Sequence, residues 1–165
     1  MEFIKHTTNW VNGEIFEATI MSIMGVLIIL CSLLFWKFGT TPYAKSLVIP
    51  LLIVGLIPLV NGLFSVQNNK SNLSKYELSW QEDEHQFLLS EQKRVKSFDD
   101  IFKYSYPFAI FMTIGGAILF FLIKSPTWKA ISLAMMCLGL MAYFIDYFAK
   151  ERADIYLEHI EEKLK

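Results

Sequence analysis

The chain has 165 residues, 54% hydrophobic and 19% charged, with a formal net charge of -1. This length suits one domain, and soluble domains of that size carry roughly 25% charged residues, so the bilayer is the expected solvent. Basic residues dispersed among acids exclude a nucleic-acid-binding stripe. Cys31 and Cys137 lie within apolar runs, where a thiol behaves as a small hydrophobe and not as half of a disulfide or metal site.

In chain order, Met1 to Glu17 reads as a short polar leader with Trp10 at the membrane interface and a helix starting near Asn12. Ala18 to Trp36 is uncharged and rich in Ile, Leu and Met, enough to cross roughly 30 Å of hydrocarbon. The first span is set at residues 15–36, and the lack of a small-residue cleavage site after it excludes a secretory signal. Gly39-Thr40-Thr41-Pro42 is a turn, which sends a second span over residues 45–66 back across the membrane. Pro50, Gly55, Pro58 and Gly62 predict a kinked helix, more simply explained by packing than by a broken-helix binding site.

Residues 67–105 form a polar helical segment between the two pairs of apolar runs. Gln67 to Asn72 is expected to be its exit turn, with Ser71 or Asn72 capping the helix that follows. Trp80, Phe87, Leu88, Val95 and Phe98 fall close to one stripe of that helix. Ser97 and Asp100 resemble a capping pair, which predicts a break near Lys96. The third span covers residues 104–124, and Lys124-Ser125-Pro126-Thr127 turns the chain into a fourth at 128–149, of which Ala130 to Ala149 is uncharged except at Asp146. Residues 150–165 continue as an amphipathic helix whose stripe includes Tyr156, Ile160 and Leu164.

The expected fold is all-α: an antiparallel four-helix transmembrane bundle, one domain, with an extramembrane helical layer. Gly25, Gly115, Gly116 and Gly139 offer close helix contacts. Four spans place both termini and residues 67–105 on one side. Only Lys37, Lys45, Lys124 and Lys129 among the basic residues lie on the other, so the positive-inside rule predicts cytoplasmic termini. The absence of a eukaryotic targeting or lipidation signal suggests a bacterial inner membrane.

Asp146 is the most informative residue, because a carboxylate at the centre of a span costs about 2.5 to 3.5 kcal/mol on insertion scales, although Asp146 lies near the end of its helix, where the cost is smaller. Topology brings Glu14, Glu17, Asn61 and Arg152 to the same end of the bundle, with Arg152 or Lys150 as expected partners of Asp146. This polar mouth reads as an ion, proton or headgroup site, or as ordinary interfacial carboxylates. Glu82 and His85 give one Glu-x-x-His, whereas a di-metal bundle site needs that motif twice and two more glutamates, so a solvated charged face is the simpler reading and no cofactor is expected. Nucleophile-elbow, phosphate-loop and dinucleotide motifs are absent.

The expected role is therefore non-catalytic: an integral membrane protein that binds a protein partner, as an accessory subunit or immunity-type protein, through Trp80, Phe87, Leu88, Val95, Phe98 and Tyr156. The alternative is a small homo-oligomeric transporter or channel using Asp146, Glu17 and Asn61. A membrane enzyme with scattered carboxylates is the third. The lipid bilayer is a partner in every case, and nucleic acid in none.

Overall fold

The computed structural model describes residues 3–165, which fold as four helices: α1 (Phe3–Phe38), α2 (Pro42–Glu82), α3 (Glu84–Leu122) and α4 (Pro126–Leu164). Each is long and apolar enough to cross a membrane. At 1.5 Å per residue they are roughly 55–60 Å long, about twice the thickness of a hydrocarbon core. Each helix accordingly has an apolar half and a polar half.

The helix ends follow from local chemistry. Thr41 caps α2 by accepting from the Ala44 N–H at 3.2 Å, with Pro42 opening the helix. Asp83, in extended backbone, ends α2 and starts α3, its carboxylate accepting from the Gln86 N–H at 2.9 Å. This single residue is the only interruption between Pro42 and Leu122.

Several local expectations are corrected. The first helix begins by Phe3 and not near Asn12, so the leader is helical. Gln67 to Asn72 is not a turn, since α2 runs straight through it. Its amides bond along the helix surface instead, Asn69 to Ser65 at 3.2 Å and Lys75 to Asn72 at 3.1 Å, so they do not compete for the backbone. There is no break near Lys96: Ser97 donates back to the Arg94 carbonyl at 2.6 Å, and Asp100 pairs with Lys103 at 2.7 Å.

In the apolar halves α1 packs on α2 and α3 on α4. Residues meet in reverse order: Ala18 and Ser22 against Gly62, Gly25 against Gly55, and Ser32 against Val48, whose carbonyl accepts from the Ser32 hydroxyl at 2.6 Å. A Cβ on Gly25 would lie 2.6 Å from the Gly55 carbonyl oxygen, so this crossing requires a bare backbone. Gly116 and Gly139 occupy the corresponding α3–α4 contact, whereas Gly115, expected beside them, meets nothing within 4 Å. In the polar halves all four helices share one core.

Candidate functional site

The polar halves close around Phe3, Trp10 and Val11 of α1, Phe87, Leu88 and Val95 of α3, and Ala153, Tyr156 and Ile160 of α4. Trp80 and Phe98 pack on this cluster; Trp80 stacks on Phe3 at 5.3 Å and meets Phe87 edge-on at 5.7 Å. The aromatic stripe expected to dock a partner is thus interior, with Phe87 4% and Tyr156 2% exposed. The covering surface comes from the first helical turns of α1, read from sequence as a leader, and from Tyr76 and Trp80 on α2.

A polar chain missed by the sequence reading crosses this core. Thr7 of α1 and Tyr156 of α4 lie 2.8 Å apart, and the Tyr156 hydroxyl donates to the Glu91 carboxylate of α3 at 3.0 Å. Glu91 also takes both nitrogens of the Arg94 fork. The Arg94 guanidinium lies 4.4 Å from the Trp10 ring and 5.1 Å from that of Tyr76, so all four helices contribute. Burial, then the neighbouring Glu91 charge, pushes the Tyr156 phenol well above its ordinary value. Burial works against the charge on Arg94, but Glu91 more than offsets this and its pKa is raised. Nothing reactive is exposed here; the network fixes which faces meet. Glu91 and Arg94 at i, i+3 were its only sequence signal, and resembled a surface pair.

The mouth cluster divides in two. Arg152 of α4 reaches α1, donating to Glu14 at 3.0 Å and to Glu17. Its stem crosses Gly13, where an added Cβ would lie 2.8 Å from the Arg152 Cδ. Burial opposes the Arg152 charge, and the two glutamates outweigh it, leaving its pKa raised. Lys150 bonds Asp99 at 3.3 Å and Asp154 at 3.2 Å. Both cations expected to neutralise Asp146 are therefore held elsewhere, which corrects that pairing. Asp146 Oδ2 and the Ser105 hydroxyl are buried beside each other, with no other hydrogen-bond partner among the described residues.

Asp146 and Asn61 line one cavity of about 410 Å³ between the α1–α2 and α3–α4 hairpins. Its other walls are apolar, from Met21, Ile57, Pro58, Phe108, Leu138, Met141, Ala142 and Ile145. Two further apolar grooves flank it, about 690 Å³ between α1 and α4 and about 550 Å³ where α2 faces α3 and α4. The hairpins share a core at the polar end, and along the apolar halves these three cavities lie between them.

Glu82 and His85 do not share a helical face, because the break at Asp83 puts one on α2 and the other on α3. Among the described residues no group of three or more His, Cys, Asp or Glu side chains could hold a metal ion. His6 and His159, which sequence reading left unpaired, stack at 4.0 Å.

No family model, curated protein or solved structure matches the chain.

Proposed function

We propose that the apolar helix halves form an antiparallel transmembrane bundle in a bacterial inner membrane, with cytoplasmic termini, and that the polar halves form an extramembrane layer. Helices twice the hydrocarbon thickness support the layer, and the distribution of lysine and arginine supports the orientation. The protein acts as a small transporter or channel, and the seam between its hairpins is the pathway. One observation carries this reading: Asp146, on an apolar helix half, lines a cavity together with Asn61 and has no cation paired with it among the described residues. An ionisable group on a membrane-spanning segment without an ion-pair partner is a functional-site candidate by default. Glu17 leaves the pathway, because Arg152 holds it.

The test needs no knowledge of the solute. In a Cys31→Ala/Cys137→Ala background, Asn61→Cys is exposed to a membrane-impermeant maleimide from each side of oriented vesicles. Labelling from both sides is expected; labelling from the polar-end side alone would refute passage.

A second reading, the accessory or immunity-type protein, rests on Leu78 and Leu89. They are 59% and 42% exposed on the two arms of the acidic turn at Glu82, Asp83 and Glu84. Affinity purification in mild detergent tests it: a stoichiometric partner lost in Leu78→Glu/Leu89→Glu supports docking there, and its absence removes the reading.

A further inference from the structure

We infer that the cavity between the hairpins takes a lipophilic monocation, its charge against Asp146 and its apolar body against the walls; this rests on the pathway reading above and names its solute class. The charge follows from what surrounds the carboxylate. Lys150 is one helical turn from Asp146 but is bound to Asp99 and Asp154, and Arg152 is bound to Glu14 and Glu17. Five carboxylates thus meet two cations at this end of the seam, and Asp146 is the one without a partner. An anion would be repelled there, and a neutral ligand would leave a desolvated carboxylate uncompensated.

The size and walls suit an organic cation and not a bare divalent ion. A cavity of about 410 Å³ is in the range of organic-ligand sites, roughly 300–1,000 Å³. Asp146 and Asn61 supply its only side-chain oxygens, whereas Mg²⁺ or Ca²⁺ needs six or more oxygen ligands. Ile57, Leu138 and Ile145 offer hydrocarbon to an apolar cation body, and the Phe108 ring offers a π face to its charge. A single carboxylate balances a single charge.

Equilibrium dialysis of the detergent-purified full chain with tetraphenylphosphonium tests this, with tetraphenylborate as a probe of the same shape and opposite charge. Saturable binding of the phosphonium alone is expected, at least tenfold weaker in Asp146→Asn. Ala142→Phe, which fills the cavity and keeps the carboxylate, should weaken binding as much, so the outcome does not depend on one variant folding. Equal binding of tetraphenylborate, undiminished binding in both variants, or no saturable binding overturns the inference. Two-sided labelling at position 61 without phosphonium binding would keep the pathway and remove this solute class. Binding with one-sided labelling would keep the site and remove the passage.

Discussion

The Tyr156 hydroxyl meets the Glu91 carboxylate at 3.0 Å, joining α4 to α3 at a point where Glu91 is 3% exposed. Tyr156 donates this hydrogen, so it accepts from Thr7 at 2.8 Å, and the bond extends to α1. Tyr156→Phe should lower stability by about 1–3 kcal/mol, the cost of leaving buried polar atoms unpaired. Glu91→Ala should cost more, because it leaves the Arg94 charge without its partner and the Tyr156 hydroxyl without its acceptor. Denaturant unfolding in detergent measures both. A Glu91→Ala loss no greater than that of Tyr156→Phe would show that the ion pair is dispensable.

The same phenol gives a pH dependence with a definite sign. Burial and the neighbouring Glu91 raise its folded-state pKa above the ordinary value near 10, so the folded protein keeps a proton that the unfolded chain releases. The stabilisation is complete below pH 10 and is lost as pH rises above it, at up to about 1.4 kcal/mol per unit. Lys150 and Tyr76 also have raised values and add to the alkaline loss. The informative quantity is therefore the difference between wild type and Tyr156→Phe. Wild type should lose more stability between pH 9 and 11, and parallel curves would contradict the assignment.

Apolar runs made the helices legible in the sequence, because nothing but a helix satisfies the backbone of a long uncharged stretch in lipid. What the pattern could not supply was continuity. Asn68, Asn69 and Asn72 favour turns by composition, yet they bond along the helix surface and α2 continues to Glu82. Asp83, one acid among several, is the real break, and only its extended backbone distinguishes it. The stripe through Phe87, Leu88 and Val95 was legible as an apolar face, but its cover lay about 80 residues away in Phe3, Trp10 and Val11. At the mouth, composition assembled Glu14, Glu17, Asn61, Asp146 and Arg152. The choice of partner was settled by Gly13, which lets the Arg152 stem cross α1 to the glutamates and leaves Asp146 alone.

Two glycines with opposite surroundings test the packing of the apolar halves. At Gly25 any Cβ strikes the Gly55 carbonyl and the Leu59 backbone, neither of which can rotate away. Gly25→Val should therefore separate α1 from α2 and cost about 1–3 kcal/mol or more. Gly115 faces open space, and Gly115→Ala should be neutral or gain up to about 1 kcal/mol from helix propensity. Thermal melting of the two variants in the same detergent reads the contrast, and similar melting points would mean that the α1–α2 crossing is not close.

Arg152 links the paired and unpaired parts of the mouth. Glu14 and Glu17 lie one turn apart on α1 with side chains 23% and 15% exposed, and Arg152 is the cation between them. Arg152→Met keeps the length of the stem over Gly13 and removes the charge, leaving two carboxylates facing each other. A loss of about 1–3 kcal/mol is expected, less than for a fully buried pair because water reaches part of the site. Glu17→Gln in the same chain should recover part of it, since one of the two unpaired charges is then gone. A double-mutant cycle on Arg152 and Glu17 measures their coupling directly. Strong coupling, with phosphonium binding unchanged in the double variant, would separate the structural pair from the Asp146 site. Binding lost along with Glu17 would put that glutamate back among the ligand contacts.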